Sequence, residues 1–453
     1  MLTSILWIGG LCALGEGPSL PQEFSLEVVG PWTVELAPAS IPQGDAAAVI
    51  RQPVRLDVAP PEPIEVFNER HAGLPVFNEE TGGWLKGARL NALITQECTA
   101  TGLLRPDSVR VKADPSAQDP FALDTDFRLD PFWGTFGRVE GGAIAENQAV
   151  FVDYVFEPCR LDSVVLTQDG DVRLVAGEPE VGSITPPVAA GTDRAIATIW
   201  VPGGTKELTE ENLYRIEFSD GNRETDETGP PAKHRSVAER LLPKTLAKLQ
   251  AGQHVTIVAW GDSVTNGGGV GGAGEKWYQN LFADLLRERF PEADIEMRTA
   301  AWPGASSKMY LEAPRGSVHD FERDVLEPNP DLVTIEFVND AYLDEAGTNA
   351  HYGAILDLLR GAGAEVVLIT PHLVRPDWMR VASLKFDEDP RPYVQTLRAF
   401  AVEHDVALAD ASRDWCALWR QGIPYTTLLA NSINHPDERG HRIFAESLIG
   451  LFP

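Results

Sequence analysis

The sequence is poor in cysteine and methionine, and it has no long apolar run. Its 453 residues include 4 Cys and 4 Met. The thiols (Cys12, Cys98, Cys159 and Cys416) lie far apart with no CxxC pair, which excludes a cysteine-built zinc site. Cys98 and Cys159 both fall in the N-terminal half, so a disulfide between them is one expectation and two buried thiols the other. No run of about 18 apolar residues occurs, so no transmembrane helix is expected. Internal repeats and low-complexity tracts are absent too.

Positive charge is also scarce. Lys+Arg number 38 against 67 Asp+Glu, a net charge of −29. Divided at residue 246, the first part holds 20 basic and 37 acidic residues (−17) and the second 18 and 30 (−12), so the acidity is spread along the chain. Such a surface repels phosphate backbones and anionic lipid, and neither nucleic acid nor membrane insertion is expected. The first basic residue is Arg51. The apolar stretch from Leu2 to Leu14 therefore reads as a signal h-region without a basic n-region, with the small residues Ala13, Gly15 and Gly17 at and after its end. On this reading residues 1–19 are a signal-like segment and the protein is secreted or periplasmic.

What is present is ordinary globular material, 43% hydrophobic and 23% charged. The length predicts two or three domains. Residues 20–220 read as β, with alternation over Ser108–Ala113, a β-branched and aromatic run over Ala149–Phe156, and an Asp169-Gly170 hairpin turn after Leu166. Ile196–Val201 and Leu213–Phe218 are further strands. Sandwich-like β domains are expected, with a possible division near the Pro186-Pro187 break. Residues 221–250 read as a polar linker and a lead-in helix that starts at Pro243. From residue 251 to 453 the rhythm is strand–helix alternation. Strands are expected at Val255–Trp260, Ile295–Ala301, Asp331–Phe337, Val366–Thr370 and Val406–Ala409. Helices are expected over Glu275–Phe290, around Tyr352–Leu359, through Tyr393–Phe400 and from about Pro436. This is an α/β domain with a mostly parallel sheet, whose ligand site lies beyond the carboxyl ends of the strands.

Four segments fall at those strand ends: Trp260-Gly261-Asp262-Ser263, Trp302-Pro303-Gly304, Val338-Asn339-Asp340 and Asn434-His435-Pro436. A serine hydrolase needs a hydroxyl on a tight turn, an imidazole to take its proton, and donors aimed at the developing oxyanion. Ser263 offers the hydroxyl and an N–H, Gly304 an unshielded N–H, Asn339 an amide, and His435 the base.

These four segments, in this order, resemble the conserved blocks of the SGNH, or GDSL, hydrolase family, and the resemblance covers residues 254–453. It implies a flavodoxin-type three-layer α/β/α domain. It also implies Ser263 as nucleophile, His435 as base, and an oxyanion hole made by the Ser263 N–H, the Gly304 N–H and the Asn339 amide. One position departs from the family pattern. The acid usually found three residues before the histidine is Ser432 here. A backbone carbonyl near Ser432 is the first expectation for what orients the imidazole, and Asp437 the second.

The neighbouring residues have plainer readings. Asp262 and Asp340 are read as structural, His441 as packing, and His372 as a loop histidine with its hydrogen bonds met. Trp302 and Trp378 flank the expected cleft and could stack on a sugar ring or simply edge the core. Gly267, Gly269 and Gly272 match G-x-G-x-x-G in form only, because the motif stands off its strand and has no acid at the required distance. They are read as a flexible rim beside Ser263. Neither Asp124/Asp126/Asp130 nor Asp387/Glu388/Asp389 follows a calcium-loop pattern, and both are read as solvated faces. No cofactor and no metal is expected. The activity expected is hydrolysis of a carboxylic ester, with an acetylated poly- or oligosaccharide as first substrate. A lipid esterase or thioesterase is the alternative within the same fold, and a glycan-binding protein with a decayed site the alternative outside it.

Overall fold

The computed structural model describes residues 24–43, 46–218 and 235–453. The signal-like segment, Cys12 and most of the expected polar linker lie outside the described residues.

The N-terminal region is built from antiparallel sheets. Strands Leu26–Gly30, Thr33–Leu36 and Val54–Asp57 form one sheet. It packs on a four-stranded sheet of Val172–Val175, Arg160–Leu166, Arg194–Val201 and Leu213–Arg215, through a core that includes Val34, Leu36, Val164 and Ile199. A second core, with Val111, Phe136, Val152 and Tyr154, lies among two further three-stranded sheets. Val150–Phe156 shows the alternation that half-buried strands require, with Val150, Val152, Tyr154 and Phe156 turned inward. Strand Arg160–Leu166 is buried along its whole length, contributing Leu161 to one core and Val164 and Leu166 to the other. It pairs with Arg194–Val201. Strands on either side of Pro186-Pro187 thus belong to one sheet. Cys98 and Cys159 are buried free thiols with no disulfide between them. Cys98 packs against Trp133 and Ile433, while the Cys159 sulfur accepts from the Gly203 N–H at 3.4 Å.

The C-terminal domain has a five-stranded parallel sheet. In chain order its strands are His254–Gly261, Asp294–Ala301, Leu332–Glu336, Glu365–Ile369 and Ala407–Ala409, arranged 2-1-3-4-5. Each face carries its own core. Val255 and Ile257 point to a layer with helices Tyr278–Arg289 and Glu438–Ile449, and Val258 and Trp260 to one with Glu345–Gly361 and Pro392–Glu403. The lead-in helix is Pro243–Gln250, with Pro243 in its first turn. In this strand order the chain diverges on either side of the first strand, and the crevice at the carboxyl ends of strands one and three is the expected ligand position.

The two regions share an interface. Ile216 bridges to Gln421, the Glu217 N–H donates to Arg420 O at 2.7 Å, and Ser383 Oγ donates to Glu211 at 2.7 Å. The Arg375 guanidinium lies 4.5 Å from the ring centre of Trp133. Two acidic residues depart from the solvated faces expected of them. Asp389 is buried and paired with Arg391, because Ser412 and the Arg391 side chain bond its carboxylate inside the helical layer. Asp130 accepts the N–H groups of Phe132 and Trp133 and pairs with Lys86.

Candidate active site

The first strand turns at Gly261. A Cβ there would stand 2.0 Å from Thr265 Oγ1 and 2.4 Å from Glu336 O, so only glycine lets the strand pass so close to its neighbour. Asp262, fully buried, then fastens the turn. One oxygen accepts from the Val264 N–H at 3.1 Å, and the other from the Asn339 N–H at 3.1 Å. Burial raises the Asp262 carboxyl to about 7, against the pull of those two N–H groups and with a further push from Asp340. Glu336 and Asp340 beside it are likewise raised, chiefly by burial. Asp340 accepts from the Ser307 N–H and from Tyr352 Oη, which is a structural use.

Ser263, only 8% exposed, stands at the tip of this turn, its Oγ 3.1 Å from His435 Nε2. Among the described residues, neither the Ser263 N–H nor the Gly304 N–H donates to a protein acceptor. Gly304 has a left-handed φ of +78° and open space around its Cβ position. The Asn339 amide donates to Asp262 at 3.0 Å and to Ala305 O at 3.3 Å.

The histidine segment is held by Asn431, a residue the sequence reading passed over. Its side-chain oxygen accepts from the N–H groups of Ile433 (2.9 Å), Asn434 (2.8 Å) and His435 (2.9 Å). His372 is buried and bonds Asn434 O at 2.7 Å through Nε2, and burial drives its imidazole well below the usual range. It therefore ties down the backbone of the segment. Of the glycines expected as a flexible rim, two are instead closely packed, with a Cβ on Gly267 falling 2.0 Å from Trp277 Nε1 and one on Gly269 2.1 Å from Pro436 O, while Gly272 is exposed. A Cβ on Gly268 would lie 2.8 Å from Ser263 O and 3.1 Å from two atoms of the His435 ring. His441 Nε2 bonds Gly268 O at 3.1 Å while its Nδ1 accepts from the Tyr278 N–H at 3.1 Å, which fixes it as a neutral tautomer. Trp302 stacks on His319 with ring centres 4.5 Å apart, and Trp378 is half-exposed.

Neither candidate for orienting His435 stands at its Nδ1. Asp437 is the N-cap of the last helix, accepting from Arg439 and Gly440 and pairing with the Arg439 guanidinium at 2.7 Å. No backbone carbonyl bonds Nδ1 among the described residues. Ser432 has a left-handed φ of +59°. The atom that faces Nδ1 is Glu97 Oε1, at 2.9 Å, from the N-terminal region. It is within bonding distance but off the line of the N–H, so the contact is close without being an aligned hydrogen bond. The same oxygen accepts from Asn431 Nδ2 at 2.9 Å across 334 residues of chain. Linear spacing gave no signal for this contact.

A parallel sheet in this order, with serine, glycine, asparagine and histidine gathered at the carboxyl ends of its strands, defines an SGNH-type α/β domain. Residues 259–443 match the GDSL-like Lipase/Acylhydrolase family and form a GDSL-like domain. No curated protein sequence matches the chain significantly. Several solved structures show distant similarity to the chain. One is a two-domain esterase active on acetylated mannans, co-crystallised with mannopentaose, with 22% identity over 48% of this chain and 53% of that one and a TM-score of 0.37. The chain thus matches about half the length of that esterase. An acetyl xylan esterase, AlAXEase, shows 23% identity over 43% of this chain and 98% of its own, with a TM-score of 0.35. A catalytic mutant of Axe2, an acetylxylan esterase from Geobacillus stearothermophilus, shows 19% identity over 44% and 95%, with a TM-score of 0.35.

Proposed function

We propose that the protein is a serine esterase that removes acetyl groups from a poly- or oligosaccharide. The observation that carries the esterase reading is the 3.1 Å contact of Ser263 Oγ with His435 Nε2, beside two N–H groups without protein acceptors. In this reading Ser263 Oγ attacks the ester carbonyl as His435 Nε2 takes its proton. The oxyanion forms against the N–H groups of Ser263 and Gly304, and the Asn339 amide turns from Ala305 O to join them. Collapse passes the proton to the departing sugar hydroxyl and leaves an acetyl group on Ser263. Water, deprotonated by His435, then releases acetate.

The glycan part of the reading is supported by an aromatic cluster beside the histidine segment. Arg375 sits among Phe132, Trp133 and Trp378, with guanidinium-to-centroid distances of 5.3, 4.5 and 5.9 Å. Phe132 and Trp378 are about half exposed, and Ile433, two residues before His435, packs on Trp133. Aromatic faces that are partly wet suit the apolar faces of sugar rings. The even negative charge fits a neutral polymer better than an anionic one. Hydrolysis of p-nitrophenyl acetate, octanoate and palmitate, alongside acetate release from acetylated xylan and mannan, tests this reading. Preference for acetate and release from a glycan are expected. A preference for the long acyl chains would overturn it.

A further inference from the structure

We infer that Glu97 of the N-terminal β region is the carboxylate that positions His435, so that the hydrolase site is completed across two domains. The inference rests on the serine-esterase reading above and extends it to a residue outside the family domain.

Three observations converge on Glu97. Its Oε1 is 2.9 Å from His435 Nδ1, on the ring nitrogen opposite the one facing Ser263. In the Ser–His logic this is where an orienting acceptor belongs, because an acceptor at Nδ1 keeps the proton there and leaves Nε2 free to act as base. Second, Asn431 serves both partners. Its oxygen shapes the backbone that leads to His435, and its Nδ2 holds Glu97 Oε1 at 2.9 Å. One side chain therefore sets the imidazole and its carboxylate relative to each other. Third, Glu97 is delivered by a constrained element. Ile94–Thr95 and Cys98–Thr99 pair as a tight hairpin, with Gln96 and Glu97 as its two-residue turn. Gln96 adopts a φ of +53°, a left-handed conformation that side chains other than glycine rarely take. The hairpin is fixed on both sides. The Arg89 guanidinium donates to the Glu97 carbonyl, and Cys98 is buried against Trp133 and Ile433. Strained turns of this kind persist where the surroundings determine them, and they gather at functional sites.

The charge state agrees. Burial alone would raise the Glu97 carboxyl, but the close approach of the His435 imidazole and the hydrogen bond from Asn431 outweigh it and bring the group down to about 2, so it is an anion wherever the esterase would work. Ser432, in the position where the family usually has its acid, needs no carboxylate if Glu97 supplies one from the other domain.

The bland role for Glu97 is a domain tether through Asn431, and the test separates the two. Glu97→Gln keeps the size of the side chain and an acceptor for Asn431 while removing the charge. In serine proteases the equivalent carboxylate-to-amide change costs about 10⁴ in kcat. For a half-exposed carboxylate the expected loss on p-nitrophenyl acetate is about 10²-fold or more in kcat, with KM and Tm nearly unchanged. Removing the anion beside Nδ1 also moves the acid limb of the pH–kcat/KM profile to lower pH. Glu97→Asp, which keeps the charge with a shorter reach, falls between wild type and Glu97→Gln. A kcat within threefold of wild type with an unmoved pH profile would overturn the inference, and a lower Tm with that same kinetics would make Glu97 a tether. Absence of esterase activity in the wild-type protein would instead count against the esterase reading itself.

Discussion

Asn339 has a side chain already engaged, and this sets how it can act. Its amide bonds Asp262 at 3.0 Å and Ala305 O at 3.3 Å, while its backbone N–H independently bonds Asp262. Asn339→Ala therefore keeps the backbone tie and removes only the side-chain donor. The expected result is a folded protein whose kcat falls by about 10²–10³, the usual cost of one oxyanion donor. KM should change far less, because the donor favours the intermediate over the ground-state carbonyl. Steady-state kinetics on p-nitrophenyl acetate would check this, and full kcat with a weakened KM would make Asn339 a substrate-binding residue instead. At this scale the sequence was informative wherever a residue's role depends on its own strand end. Ser263, Gly304 and Asn339 follow three such ends, and His435 opens the last helix well beyond the fifth strand; all four can be read from local chemistry. Asn431 could have been found in the same way, since an asparagine four residues before a catalytic-type histidine is placed to cap the intervening N–H groups.

The elements around the site are tied together by His441. It sits in the last helix, Glu438–Ile449, and bonds both Gly268 O in the glycine segment and the first N–H of helix Tyr278–Arg289. Burial brings its imidazole down to about 4, from an ordinary 6.5. The unfolded chain then binds the proton more readily than the folded one, so the stability that His441 contributes is present above about 6.5 and is lost as pH falls toward 4. One such proton is worth at most about 1.4 kcal/mol per pH unit within that window. His441→Gln should lower Tm at pH 7 by breaking the ties, yet lose less Tm than wild type between pH 6.5 and pH 4. Parallel Tm curves for the two proteins would show that His441 is not proton-linked to folding. The strands and helices themselves were legible, because apolar spacing and strand-end glycines mark them. The glycine segment was not. Glycine-rich composition gives the same signal for a loose rim and for a backbone pressed on an imidazole, and only the close approach of Gly268 to the His435 ring distinguishes them.

At the scale of the whole molecule, the family domain covers residues 259–443, while the carboxylate facing His435 comes from residue 97. No periodicity or motif within either region signals a contact between them. It depends on how the β hairpin and the histidine segment meet, which is a property of the interface built by Ile216, Glu217, Glu211 and Arg375. The absence of the family's acid at Ser432 was visible in the sequence; its replacement was not. The central claim is that Ser263, set against His435, is a reactive nucleophile. Intact-mass analysis after treatment with a fluorophosphonate probe measures it most directly, on wild type and on Ser263→Ala. The account predicts a single phosphonyl adduct on wild type, mapped to Ser263, and none on the variant. An unlabelled wild-type protein that is folded, or equal labelling of Ser263→Ala, would contradict it.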